Sequence, residues 1–255
     1  MPRSTFIIPD WPAVPWIKAY ATTRYAGGVS LAPYDSLNLA AHTGDMPAVV
    51  STNREFVKRQ LFIPSEPAWL AQPHGGKVID PGTDSERAAD GASTRMPKTV
   101  CVVMTADCLP VLLCDRAGTQ VAALHGGWRG LASGIIDAGL ERMPCKPVRI
   151  LAWLGPAISA RHYEVDGLVR EGVLARSPSC RKAFEASRAG HWFFDLYKAA
   201  RTLLSRGGVE AEAVYGGEFC TYAEPEHFFS YRRDGVTGRM ASLIWIEGHS
   251  DSNAA

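Results

Sequence analysis

Seven stretches of this chain are dense in Val, Ile and aromatic residues, and they predict strands over 17–24, 100–105, 111–115, 121–125, 148–154, 210–215 and 240–247. Several are apolar on successive residues, the pattern of a sheet covered on both faces. Three segments carry helical signals. Asp45 as a capping residue and Pro47 as an early proline start a helix running to about Leu61. Leu131, Ile135, Ile136 and Leu140 recur at helical spacing, so a second helix is expected from Arg129 to about Arg142. Asp195 caps a third, which stops near Gly207 and Gly208. Strands and helices interleave without a strict β-α-β repeat, which implies a mixed α/β (α+β) layered fold. There is no internal repeat, low-complexity tract or linker, so one domain is expected over 1–255, with a frayed tail from about 248. The polar, turn-rich stretch 80–91 reads as a surface loop.

Charge changes this picture only by exclusion. With 27 Lys and Arg against 26 Asp and Glu, the net charge is +1, and no basic excess exists to attract nucleic acid or an anionic membrane. The N-terminal run is broken early by prolines and Asp10, and no stretch approaches the roughly eighteen apolar residues of a membrane span. The expected compartment is the cytoplasm. There, Cys101, Cys114, Cys145, Cys180 and Cys220 are expected to be mostly buried thiols.

The sixth cysteine is different. Cys108, in Ala106-Asp-Cys-Leu-Pro110, lies at the end of a very apolar strand, with Pro110 expected to stop regular pairing just beyond it. Thiolate is the useful form of cysteine, as nucleophile or as metal ligand; the competing reading is a buried structural thiol. His125 ends a second apolar strand in His125-Gly-Gly-Trp-Arg-Gly130, where two glycines permit a sharp turn and close approach of a ligand. A helix start after that turn, together with Arg129, suits an anion. His74, in Gln72-Pro-His-Gly-Gly76, is by itself an ordinary loop histidine. Together, one thiolate and two imidazoles make a three-ligand set with an open position, the pattern of catalytic zinc. Without His74, Cys108 and His125 read equally as the nucleophile and base of a cysteine hydrolase. Arg232 and Arg233 are either an anion site or a solvated charge cluster. The glycine-rich turn after Arg24 lacks Walker or dinucleotide spacing.

These motifs carry a resemblance. Ala-Asp-Cys-Leu-Pro-Val-Leu, His-Gly-Gly-Trp-Arg-Gly, Cys220-Thr-Tyr and Phe228-Phe-Ser-Tyr-Arg-Arg-Asp-Gly are similar to those of the laccase-domain, YfiH-like family. So are Thr-Thr-Arg24, Ser36-Leu-Asn-Leu39, Asn53-Arg54 and Gly155-Pro-Ala-Ile158, in order along nearly the whole chain. The resemblance implies an α/β/β/α layered domain with mixed sheets. It also implies a metal, usually zinc, on His74, Cys108 and His125. Pro73 and Gly126 depart from the family pattern without removing a ligand; glycine at 126 is expected to loosen the turn after His125.

The family's names point to a copper polyphenol oxidase, to a purine nucleoside phosphorylase with adenosine deaminase activity, and to an editor of peptidoglycan precursors. A multicopper oxidase needs a second, histidine-dense cluster. The chain has seven histidines, at 42, 74, 125, 162, 191, 227 and 249, and none form His-x-His pairs. One mononuclear site is therefore expected, with copper as an alternative occupant to zinc. Nucleoside chemistry fits such a site better, with adenosine, inosine or S-methyl-5′-thioadenosine and phosphate as the small-molecule partners. The usual base-deaminase signature is missing, so deamination would use a different scaffold. Candidate catalytic residues are Cys108, His125 and Asp107, the last either as proton donor or as a group orienting a ligand; His227 is a second proton-donor candidate. Candidate substrate or anion contacts are Arg24, Asn38, Gly127, Arg129 and Arg232.

Overall fold

The computed structural model describes residues 6–143 and 145–248. The predicted tail, apart from Gly248, lies outside the described residues. In chain order the strands are β1 (Phe6–Ile7), β2 (Ile17–Thr22), β3 (Val78–Ile79), β4 (Gly91–Thr94), β5 (Cys101–Thr105), β6 (Leu109–Asp115) and β7 (Val121–Gly126), followed by β8 (Ile150–Leu154), β9 (Glu164–Asp166), β10 (Phe184–Ala186), β11 (His191–Phe194), β12 (Val214–Gly216) and β13 (Met240–Ile246). The helices are α1 (Pro47–Gln60), α2 (Trp128–Ser133), α3 (Ile135–Glu141), α4 (Gly167–Arg176), α5 (Leu196–Arg206) and α6 (Tyr231–Asp234).

A four-stranded antiparallel sheet, β1-β2-β13-β5, lies against a six-stranded mixed sheet, β12-β8-β6-β7-β4-β3, in which β12 with β8 and β4 with β3 are parallel pairs. A separate small sheet is β10-β11-β9. Strand periodicity explains the layers. On β5, Cys101 and Val103 face the main core between the sheets, while Val102 and Met104 face α1 with Val57 and Leu61. On β13, Ile244 and Ile246 point to the first core, and Ala241, Leu243 and Trp245 to the second. The six-stranded sheet is covered beyond by α3 and α5, through Ile135, Ile136, Ala200, Leu203 and Leu204. The layered, mixed-sheet architecture is therefore as expected. Among the described residues no helix is long and apolar enough to cross a membrane.

Several local expectations are corrected. Asp45 does not cap α1. Its carboxylate accepts from the Met46 N–H (2.8 Å), Ser30 Oγ (2.7 Å) and Asn38 Nδ2 (3.1 Å), so it ties loops together ahead of the helix. Asp195 does cap α5, accepting from the Lys198 N–H at 2.9 Å. Pro110 lies inside β6 opposite His125, and the Gly155 N–H donates to its carbonyl. Gly126 is paired with Leu109 as the last residue of β7, so it belongs to the ladder and loosens no turn. Strands 148–154 and 210–215 each begin with a 3₁₀ turn and start later, at Ile150 and Val214. Cys145 and Cys220 are half-buried rather than buried.

The helix expected over 129–142 is two. Gly134, at φ +86°, takes the left-handed conformation that closes α2 and re-aims the chain into α3. Hydrophobic spacing continues across the break, which is why periodicity alone does not reveal it. A Cβ there would lie 2.7 Å from Arg176 Nη2, whose guanidinium pairs with Asp137. Gly134→Ala is therefore expected to lower stability by about 1–2 kcal/mol, measured as a shift of the urea-unfolding midpoint at unchanged slope.

Candidate active site

The site lies where β5, β6 and β7 end. Asp107, at φ +87°, turns the chain between β5 and β6 and presents Cys108. His125 is on the last turn of the β7 ladder, and His74, at φ +65°, comes from the loop before β3. The ligand atoms of His74, Cys108 and His125 lie within 4.8 Å of one another, and the two imidazoles meet edge to face at 4.8 Å between centroids. These three were read from sequence as one cluster, and the structure gathers them.

A fourth residue controls them. Asp90, fully buried, accepts from His125 Nδ1 (2.9 Å), the His74 N–H (2.9 Å) and the Gly75 N–H (2.6 Å). With Nδ1 so engaged, Nε2 is the nitrogen turned to the thiol: an ideal Cβ on Gly127 would lie 2.8 Å from Cys108 Sγ and 3.8 Å from His125 Nε2. Sequence reasoning missed Asp90 because it lies within the segment 80–91 taken for a surface loop. The signal was the short run Gly91-Ala-Ser-Thr94, which forms β4 beside β7.

Burial pushes the Cys108 thiol up, but His125 and hydrogen bonds from both histidines outweigh it and bring it down to about 6. For His125, burial opposes charge, while Cys108 and Asp90 favour it and raise the imidazole to about 9. Without a metal the pair is thus a thiolate and an imidazolium near neutral pH.

A cavity of about 370 Å³ opens on this wall, a size suited to a small ligand. His42, Gln72, Tyr231 and Arg239 also line it. Gln72 is committed to the Met104 backbone, donating to its carbonyl and accepting from its N–H. Arg239 Nη1 is held by the Thr237 and Gly238 carbonyls, and its backbone N–H donates to Asn38 Oδ1. Burial, with the Arg239 charge beside it, keeps the His42 imidazole below its usual range.

The remaining candidates fall elsewhere. Asn38 is fully buried and braces Ala40, Thr43, Asp45 and Arg239. Arg24 is held by Asp35 and packs on Tyr25 and Phe229. Arg129 is exposed and stacked on Trp128. Arg232 lies on Tyr163 and donates to the Glu164 carbonyl. Arg233 spends its donors on Thr221, Tyr222, Phe228 and Asp234. Both Asp107 oxygens accept, from Thr221 Oγ1 and from the Arg232 N–H, each at 2.6 Å. His227 lies beside Glu224, in a different cavity with Phe219 and Phe228. Gly127 alone of the anion candidates touches the cluster.

Fold and cluster together describe a layered α/β protein that offers one thiolate and two imidazoles on a single cavity wall. The chain belongs to the family described as multi-copper polyphenol oxidoreductase laccase, whose model matches residues 18–247. It is 48% identical over 245 residues to an Escherichia coli protein named purine nucleoside phosphorylase YfiH, covering 95% of this chain and 99% of that one. It is 45% identical to a Pseudomonas aeruginosa protein named purine nucleoside phosphorylase, covering 96% and 99%. A crystal structure from Neisseria meningitidis is 48% identical, with a TM-score of 0.91 over 96% of this chain and 100% of that one. YlmD from Geobacillus stearothermophilus is 30% identical, with a TM-score of 0.87 over 97% and 98%.

A Cβ at Gly127 would press on the Cys108 sulfur, which lies 2.8 Å from its ideal position. Gly127→Ala is expected to slow alkylation of metal-free Cys108 about tenfold, some 1.4 kcal/mol of added barrier, with circular dichroism showing that the fold is kept. Peptide mapping after timed iodoacetamide treatment reads the rate.

Proposed function

We propose that the protein is a purine nucleoside phosphorylase that depends on one zinc ion and acts on adenosine, inosine and S-methyl-5′-thioadenosine. The observation that carries this reading is the cavity, which the His74, Cys108 and His125 cluster and Arg239 line together. Relatives nearly half identical carry the phosphorylase name. One thiolate with two imidazoles suits zinc, although copper binds such donors more tightly. His74, Cys108 and His125 would hold the ion, with Asp90 fixing the His125 ring. When bound, zinc supplies positive charge and an exchangeable position at that wall.

Phosphorolysis replaces the bond between ribose C1′ and the purine with a bond from C1′ to phosphate, and the base leaves with a proton. Arg239 is suited to the phosphate: Nη1 is tied to backbone carbonyls, which leaves Nε and Nη2 as donors. His42, held neutral, offers one donor and one acceptor beside it. Tyr231, exposed at the rim, offers a ring face to the purine. Adenosine deamination, in which water replaces the 6-amino group and ammonia leaves, is a side activity of the same cavity. We place the reaction in the cytoplasm, in keeping with six free thiols.

One geometric observation favours a second reading. Cys108, His125 and Asp90 stand in the order nucleophile, base and orienting carboxylate, which suits a cysteine hydrolase acting on amide substrates such as peptidoglycan precursors. The oxidase reading has less support, since His74, Cys108 and His125 are the one such cluster among the described residues.

Chromatography distinguishes these. Zinc-loaded protein is expected to release hypoxanthine from inosine, and adenine from methylthioadenosine, only when phosphate is present. Unchanged nucleosides in phosphate buffer would falsify the proposal, and activity in metal-stripped protein that alkylation abolishes would favour the hydrolase. Cys108→Ala is expected to lose zinc and turnover while keeping its circular dichroism; loss of fold with the metal would make the site structural. Arg239→Gln is expected to raise the KM for phosphate about tenfold, some 1.4 kcal/mol, with kcat within about twofold.

A further inference from the structure

A second thiol and imidazole meet outside the site described above. Cys220 Sγ lies 3.5 Å from His162 Nδ1, and the Ser159 N–H donates to the same sulfur at 3.4 Å. The His162 ring is held in place by stacking on Tyr222 at 4.6 Å, and Ser159 Oγ lies 3.2 Å from Nδ1. Cys220 is half-buried and lines a cavity of about 360 Å³. The cavity carries charge of both signs, Arg161 against Asp195 and Glu218.

The other cysteines lack this setting. Cys101, Cys114 and Cys180 are fully buried. Cys145 is half-buried like Cys220, but burial and the nearby Asp115 push its thiol up, and no imidazole adjoins it among the described residues. Cys108 belongs to the metal-ligand cluster.

We propose that Cys220 is a thiol-exchange site, with His162 as its base, that forms a mixed disulfide with small zwitterionic disulfides derived from amino acids or peptides. The Cys220 proton passes to His162 Nδ1. The sulfur then bonds to one sulfur of the disulfide, whose S–S bond breaks. Cys220 is oxidised, the departing sulfur is reduced, and the departing thiolate takes up a proton. The Ser159 N–H supports the thiolate before attack, because a donor to the charged form favours that form. Mixed charges at the cavity suit a ligand with both an ammonium group and carboxylates.

The test uses oxidised glutathione with the full-length, zinc-treated protein, acid quenching at timed intervals and peptide mapping by mass spectrometry. Each cysteine is read separately, so the outcome does not depend on whether Cys108 holds a metal. The glutathione adduct is expected on Cys220 at least about tenfold faster than on Cys145. Dithiothreitol should remove it. His162→Gln should slow the reaction about tenfold, with the melting temperature showing that the fold is kept, and Cys220→Ser should abolish the adduct. Cys220 reacting no faster than Cys145, or at the same rate in His162→Gln, overturns the proposal.

Discussion

The Asp90 carboxylate joins three segments that are distant in the chain. It grips the His125 ring on β7 and the His74–Gly75 backbone in the preceding loop, while its own carbonyl accepts the His125 N–H at 2.8 Å. A fully buried carboxylate is costly unless its oxygens are satisfied. Here two backbone N–H groups and an imidazole satisfy them, and Cys108 together with Asp90 outweighs burial to hold His125 on the proton-rich side. The arrangement depends on sheet register: β4 pairs antiparallel with β7, Gly91 opposite Leu124, which sets Asp90 beside His125. A one-residue slip would turn Asp90 and His125 to different faces.

Backbone strain gathers around the same point. Gln72, His74 and Asp107 all have positive φ, at 41°, 65° and 87°, and a non-glycine residue in that region costs of order 1–3 kcal/mol. Specific bonds offset it. The Gln72 amide exchanges two hydrogen bonds with Met104 on β5, and Asp107 is fixed by Thr221 and Arg232. The consequence is that Cys108 and His74 have little freedom to drift apart, so the donor set is organised before any ligand arrives. Asp107 is thereby a positioning residue, with both oxygens already taken.

The layers and the donor triad were legible because they follow from local signals. Apolar strands with period-two faces, such as 100–105, declare a sheet covered on both sides, and Cys108 and His125 stand out as reactive types at strand ends. What was not legible depended on pairing between distant segments. Asp90 looks like any loop aspartate until β4 is seen beside β7. Arg239 and His42 form the cavity only because Asn38 joins their two segments, accepting from the backbone of Arg239 and bonding that of Ala40. Arg129 and Arg232 were attractive by adjacency to the motifs, yet stacking on Trp128 and Tyr163 takes them elsewhere. Breaks such as Gly134 escape notice because the hydrophobic spacing continues through them.

The two thiol–imidazole pairs show what separates a ligand cluster from a merely reactive thiol. Cys108 faces two imidazoles, one with its far nitrogen fixed by a buried carboxylate, so three donors converge on one point. Among the described residues, Cys220 faces one imidazole, whose nearer nitrogen it shares with Ser159 Oγ, and no carboxylate is bonded to that ring. Three convergent donors with an orienting partner can hold a divalent ion, whereas one thiol and one imidazole can only exchange a proton. The second pair lies next to the first along the chain's contacts, since Thr221 follows Cys220 and donates to Asp107, the residue before Cys108. The difference in chemistry between two such closely linked thiols therefore comes from Asp90 and His74 rather than from the cysteines themselves.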